Sequence, residues 1–191
     1  MKGNNTSLKI KRIAYLAILV ALEIVLNRFC SINTMGLKIG FSFVPIVIAA
    51  TLFGPLSAAA VYAAADFLGA VLFPIGTYHP GFTISAAVMG LVYGLFLYVP
   101  KNGEKGFFIR WKRIRLFPNV IVPALINNLV LGLVVNTFWV SMLYGSKSYA
   151  GWFVYRLAEY AVLIPITVAL TPTIMRLSAE LSKIIFGKGK K

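Results

Sequence analysis

Nearly all of this chain is lipid-soluble while its charge is gathered into three short basic clusters, and that combination leaves little besides a bundle of membrane-spanning helices. Hydrophobic residues make up 59% of the 191 and charged ones 13%, with a mean hydropathy of +0.84, well outside the range of soluble domains. The first cluster is Lys2, Lys9, Lys11 and Arg12, the second Lys101, Lys105, Arg110, Lys112, Arg113 and Arg115, the third Arg176, Lys183, Lys188, Lys190 and Lys191. Lysine and arginine accumulate on the cytoplasmic side of membrane proteins, so all three clusters belong inside the cell. The chain then crosses the bilayer an even number of times between each pair. The net charge of +14 accordingly speaks for topology and contact with anionic lipid, not for nucleic acid.

A single cysteine, Cys30, excludes a disulfide framework and a cysteine-based metal site. The first apolar segment follows basic residues as a signal peptide would, but Arg28-Phe29-Cys30 offers no small-residue cleavage site, so it reads as a retained helix. Hydropathy and turn residues predict six membrane helices in one all-α domain over 1–191, at about 13–29, 39–53, 56–73, 82–99, 117–143 and 152–177, with both termini cytoplasmic. The second is short for a bilayer and stops at Gly54-Pro55. The third is rich in alanine from Ala58 to Ala65 and is expected inside the bundle.

Three of the five acids, Glu23, Asp66 and Glu159, fall on these helices. An ionisable group at membrane depth is costly and marks a partner or a water-filled cavity. All three lie in the outer half of the bilayer, as do Arg28 and Arg156, which describes a polar pocket open to the outside. Each acid–base pair taken singly is as well explained by closing the bundle; the set together favours a pocket. Aromatic residues crowd the same level, among them Phe41, Tyr78, Phe82 and Tyr155. Most suit the interfacial belt, whereas Tyr78 and Phe82 flank His79-Pro80-Gly81 at a helix start, where free backbone N–H groups attract an anion. His79 has no second histidine with which to hold a metal. Ala14, Ala17 and Ala21 share one face of the first helix and permit close approach of another helix, inside the bundle or outside it. Asn127, Asn128 and Asn136 are candidates for interhelical bonds or pocket groups. No nucleotide-binding or catalytic motif is present, so uphill movement of a solute needs energy from another protein.

The run Leu37-Lys38-Ile39-Gly40-Phe41-Ser42-Phe43-Val44-Pro45, with Leu52-Phe53-Gly54-Pro55, Asp66-Phe67-Leu68-Gly69 and Pro74 to Thr83, resembles the substrate-binding S components of energy-coupling factor (ECF) vitamin transporters, and in detail the folate-specific members. The resemblance implies six helices, a high-affinity vitamin pocket near the outer face of the cell membrane, and no catalysis or cofactor of its own. It implies partners: a membrane T component and two cytoplasmic ATPases that use ATP. The helix 1 alanines Ala17 and Ala21, with Ala14 beside them, match the family's T-component contact, and transport is expected to proceed by toppling of the S component in the membrane.

Folate suits the candidate residues. Its flat pterin asks for stacking on Phe41, Tyr78, Phe82 or Tyr155 and for a carboxylate acceptor, Asp66 or Glu159. Its two tail carboxylates ask for cations, supplied by Arg28, Lys38, Arg156 or Lys147. His79 completes the candidate set at the helix start. Another flat vitamin, riboflavin or thiamine, is the nearest alternative. Two other classes stay open: a small membrane enzyme acting on lipid headgroups through Asp66, His79 and Glu159, and a bundle that serves only as a structural partner.

Overall fold

The computed structural model describes residues 3–34, 37–98, 117–145 and 147–186. Lys2, the central basic cluster with Glu104, and the end of the third cluster from Lys188 lie outside the described residues. The chain forms α1 (Gly3–Arg28), a hairpin of β1 (Ile32–Thr34) and β2 (Leu37–Ile39), α2 (Phe43–Phe53), α3 (Pro55–Leu72) and α4 (Pro80–Leu97). A fifth helical segment follows, composed of a π-helical stretch Phe117–Ile121, α5 (Val122–Leu125), a second π-helical stretch Ile126–Val135, and α6 (Asn136–Tyr144). The long α7 (Tyr149–Phe186) ends the described chain. Among the described residues, four helical segments are long and apolar enough to cross a membrane: Pro55–Leu72, Pro80–Leu97, Asn119–Tyr144 and Tyr149–Ser182.

Helix α2 has only 11 residues, roughly 16 Å of helix. It is apolar on every side and nine of its residues are buried, as expected of a helix surrounded by others. Phe43, Ile46, Val47, Ala49, Ala50 and Leu52 form the centre of the core with Leu19, Ala58, Val61, Tyr93, Leu97 and Ile174 from the surrounding helices. The chain reverses into α3 at Gly54, whose φ of 86° is one that side chains avoid. Pro55 at the first turn of α3 needs no N–H partner there.

Helices α3 and α4 pack backbone to backbone. A Cβ on Gly90 would stand 2.5 Å from the Ala58 carbonyl oxygen, and one on Gly94 would strike Pro55. Small residues on both sides make that approach available. The alanine-rich α3 is nonetheless only half interior. Ala58 and Ala65 are buried, while Leu56, Phe67, Leu68, Val71 and Leu72 are exposed, so one face packs inward and the other carries the large apolar groups that suit lipid.

Several expected boundaries change. α1 begins at Gly3 instead of Ile13, and α7 runs to Phe186 instead of Leu177. The second helix starts at Phe43, not Ile39, because Leu37–Ile39 pairs with Ile32–Thr34 in register Ile32↔Ile39, Asn33↔Lys38 and Thr34↔Leu37. The stretch between the first two expected helices, Cys30 to Lys38, therefore holds most of the hairpin. Its signal was the apolar–polar alternation around a two-residue Met35-Gly36 spacing. Within α7, Pro165 and Pro172 each remove one backbone donor. Thr167 and Thr171 turn their hydroxyls back onto the Leu163 and Thr167 carbonyls at 2.7 and 2.6 Å, local hydrogen bonding that accompanies bends in membrane helices.

At the end where α1 begins, Arg12 donates to the Phe53 carbonyl at 3.0 Å and to Ser57 Oγ at 2.7 Å, fastening α1 to the α2–α3 junction. The polar cavity lies toward the other end, where α1 and α3 finish and α4 and α7 begin.

Candidate functional site

A cavity of about 690 Å³ opens between the hairpin, the C-terminal parts of α1 and α3, the segment after α3, the start of α4, the second π-helical stretch, α6 and the first half of α7. That volume is typical of a site for a drug-sized ligand. The extra backbone turn of a π-helix is often found at functional sites, and here it carries Asn127, Asn128 and Gly132 on the cavity wall. Gly132 is required by contact, since a Cβ there would lie 2.6 Å from the Tyr160 ring.

Two of the cavity's ionisable groups satisfy each other. Arg156 donates through Nε to Glu159 Oε2 at 3.1 Å, through Nη1 to Thr137 Oγ1 at 3.1 Å and through Nη2 to Tyr160 Oη at 2.9 Å. Both members are buried, and a pair so provided with partners joins α7 to α6. Asp66 on α3 is held differently. Thr83 Oγ1 donates to Asp66 Oδ2 at 2.7 Å, and Tyr78 Oη lies 3.1 Å from the same Thr83 hydroxyl. With the threonine proton committed to the carboxylate, the tyrosine is the donor of the pair. This chain ties the segment before α4 to α3 and fixes the carboxylate in the cavity wall.

Arg28 and Lys38 are the counterweight. Both line the cavity, and among the described residues the one ion pair is Arg156–Glu159, so neither has a carboxylate within salt-bridge distance. Arg28 Nε is buried with no hydrogen-bond partner. Its guanidinium lies along Gly69, where a Cβ would come within 3.0 Å of Nε. On the hairpin, burial pushes the Lys38 ammonium down to about 8; the neighbouring Arg28 adds to the fall, and Glu23, Asp66 and Glu159 oppose it. Two adjacent cations without counter-ions, one already inclined to lose its proton, make a site that welcomes an anion.

Of the ten candidate ligand residues, Arg28, Lys38, Asp66, Tyr78, Phe82, Arg156 and Glu159 line the cavity, and Phe41, His79 and Tyr155 do not. His79 caps α4, where its Nδ1 accepts from Gly81 N at 3.1 Å and its ring stacks on Trp139 at 5.0 Å. The acid–base trio Asp66, His79 and Glu159 is therefore not gathered at one place. Phe41 is 46% exposed and Tyr155 38%. Tyr155 instead lies under Lys147, whose Nζ stands 4.2 Å from its ring centre and 5.1 Å from that of Trp152, which engages Lys147 with the aromatic rim. The partners Thr83, Thr137 and Tyr160 carried no sequence signal: hydroxyls are common, and Thr83 is 17 positions from Asp66. Ala14, Ala17 and Ala21 are all exposed on α1, which settles their packing question: they do not close this bundle.

A helical membrane bundle with a large polar cavity near one end, lined by unpaired cations and a fixed carboxylate, is the build of a membrane protein that binds a soluble organic anion. Residues 7–177 match the family described as ECF-type riboflavin transporter, S component, and the chain belongs to that family. Over 158 residues, 83% of this chain and 84% of the relative, it is 40% identical to the folate transporter FolT of Clostridium novyi (strain NT). A second folate transporter FolT, from Leuconostoc mesenteroides, is 26% identical over 165 residues, covering 84% and 82% of the two chains. Among solved structures, FolT bound with folic acid superposes with a TM-score of 0.75 at 32% identity, covering 87% of this chain and 93% of that one.

Proposed function

We propose that this protein binds folate with high affinity and carries it into the cell as the S component of an ECF transporter. The observation that carries the reading is the polarity of the cavity: Arg28 and Lys38 without acidic partners line the same cavity as Asp66, held by Thr83. Folate is a matching two-ended ligand. Its tail carboxylates pair with the cations, and its pterin presents adjacent N–H donors that a carboxylate accepts as a pair. Phe82 and Tyr78 line the same space and offer faces for the flat ring. Riboflavin, the vitamin in the family's description, has no tail carboxylates and would leave both half-buried cations without an anion, which is costly. Thiamine brings a positive charge to them. The names and identities of the FolT relatives support the same choice.

In this reading α1, α2, α3, α4, the fifth segment and α7 are six spans with both ends in the cytoplasm of a plasma-membrane protein. Lys9, Lys11 and Arg12 lie at the inner end, so the positive-inside rule turns the cavity outward. A T component and two ATPases supply the energy, and the exposed Ala14, Ala17 and Ala21 on α1 give the T component a surface on which helices approach closely.

Two measurements test the binding step. The purified, denatured protein is scanned for a co-purified pteridine absorption band, and the stripped protein is titrated with folate, riboflavin and thiamine while tryptophan fluorescence is followed. Trp152 packs against the cavity residue Tyr144, so an occupied cavity perturbs its fluorescence. Saturable quenching by folate alone is expected. Quenching by riboflavin but not folate in well-folded protein would replace folate by the flavin.

A further inference from the structure

Glu23 makes no ion pair among the described residues and lies outside the cavity wall, yet it is a completely buried acid, 0% exposed, in the outward half of α1. It is absent from the cavity wall, whereas Asn27, one turn further along, is part of that wall. Asn27 Nδ2 donates to Glu23 Oε1 at 2.8 Å. In this contact the amide's N–H group is committed to Glu23 and its oxygen is turned away from it. That oxygen, Oδ1, is buried with no hydrogen-bond partner, on a residue 5% exposed. A buried acceptor without a donor costs stability unless something supplies one. The construction recurs deeper in the cavity, where Asn127 Nδ2 donates to the Met89 carbonyl at 3.1 Å and Asn127 Oδ1 is again buried and unpartnered. A cavity with amide oxygens so fixed expects a ligand with more N–H donors than one carboxylate can take.

We propose that Glu23 is a positioning residue that locks the Asn27 amide with its oxygen toward the ligand, and that Asn27 Oδ1 accepts an N–H of the ligand's exocyclic amine. The inference rests on the folate reading and adds to it. A pterin's 2-amino group has two hydrogens. A carboxylate paired with the ring N–H and one amine hydrogen leaves the second hydrogen without an acceptor, and α1, which faces α3 through the Arg28–Gly69 contact, brings Asn27 to the same region as Asp66. Removing Glu23 releases the amide to rotate, and the acceptor is then present only part of the time.

The test compares folate with its 2-desamino-2-methyl analogue, which lacks the exocyclic N–H donors, by titration of the full-length protein in detergent. Wild type, Glu23→Gln, Asn27→Leu and Asn27→Ala are each measured with both ligands. Wild type is expected to prefer folate at least tenfold. Asn27→Leu and Asn27→Ala lower that preference at least fivefold while changing analogue affinity less than twofold, and Glu23→Gln lowers it about two- to fivefold. Because the readout is a ratio within one protein, a general loss of packing leaves it unmoved. Equal losses for both ligands, or an unchanged preference in the variants that fold, overturn the assignment. If the leucine variant does not fold, the alanine variant and Glu23→Gln decide the matter by the same ratio. Failure of wild type to bind folate at all would instead remove the function on which the inference stands.

Discussion

Exchanging Lys38 for arginine isolates what one titrating cation contributes to the capture of an anionic tail. The Lys38 ammonium is held down to about 8, well below the ordinary lysine range, by burial and by Arg28. Below that pH the site is cationic and a tail carboxylate gains a charge-assisted hydrogen bond of about 1.5–3 kcal/mol, which is on the order of tenfold to a hundredfold in affinity. Above it the free protein must first take up a proton, so folate affinity falls by up to about tenfold per pH unit until the whole contribution is spent. Arginine stays charged throughout. The ratio of Lys38→Arg to wild-type affinity is therefore expected to rise about tenfold between pH 7 and pH 9.5, and any titration of the ligand cancels in that ratio. The ligand-free fold responds with the opposite sign. Its charged ammonium is the penalised form, so wild-type thermal stability rises as pH climbs from about 8 toward 10, while the stabilisation gained on adding folate shrinks. Fluorescence titrations and melting curves across the range measure both. A constant affinity ratio, or the same pH dependence for pteroate, which lacks the glutamate tail, would refute the placement of the tail at Lys38.

Three further outcomes are expected. Asp66→Asn replaces one of the two acceptor oxygens by an N–H group facing the pterin donors and lowers folate affinity at least tenfold, whereas Thr83→Val, which removes only the donor that orients Asp66, produces a smaller loss in the same titration. Arg156→Leu leaves Glu159 buried without its cation and costs about 3–5 kcal/mol of stability, visible as a large fall in melting temperature with or without ligand. Ala17→Leu combined with Ala21→Leu adds bulk to an exposed face of α1 remote from the cavity wall, so folate binding is retained while co-purification with the T component and ATPases, and uptake into cells, are lost.

What could be read from the sequence divides along a physical line. The helices were legible wherever burial in lipid dictates a long apolar run, and the Gly54-Pro55 reversal was legible because few residues other than glycine accept a φ of 86°. The acids Asp66 and Glu159 and the cations Arg28 and Arg156 were legible as cavity residues because charge in the membrane needs a reason, and Lys38 was legible only as one of the outer-side cations that folate's tail asks for. The hairpin was not: two strands of three residues carry too few alternations to compete with the neighbouring apolar helix. The π-helical stretch Ile126–Val135 was invisible because an inserted residue leaves composition unchanged and only shifts the face presented.

The distinction among charges was the least legible feature, and it is the one that decides function. In the sequence, Arg28 and Arg156 are alike: an arginine near the outer end of a helix with acids at similar depth. In the folded chain Arg156 has Glu159 three residues away, Thr137 19 residues away and Tyr160 one turn further along α7, so its hydrogen bonds are spent on the bundle. Arg28 lies against Gly69, which has no side chain to offer, and Glu23 on its own helix has given one oxygen to Asn27. The same residue type at the same depth is thus a structural pair in one place and an open anion site in the other. What separates them is which hydroxyls and glycines the neighbouring helices bring opposite, a property of packing that no local pattern encodes. Transferring the Arg156 arrangement to Arg28, by placing a glutamate at Ala70, which follows its contact Gly69 and shares the cavity wall with it, should convert the second site into the first: folate affinity falls to that of the tailless pteroate, and pteroate binding keeps whatever strength the pterin end alone provides. Loss of both ligands together in a folded Ala70→Glu protein would show that the two ends of the cavity are not separable.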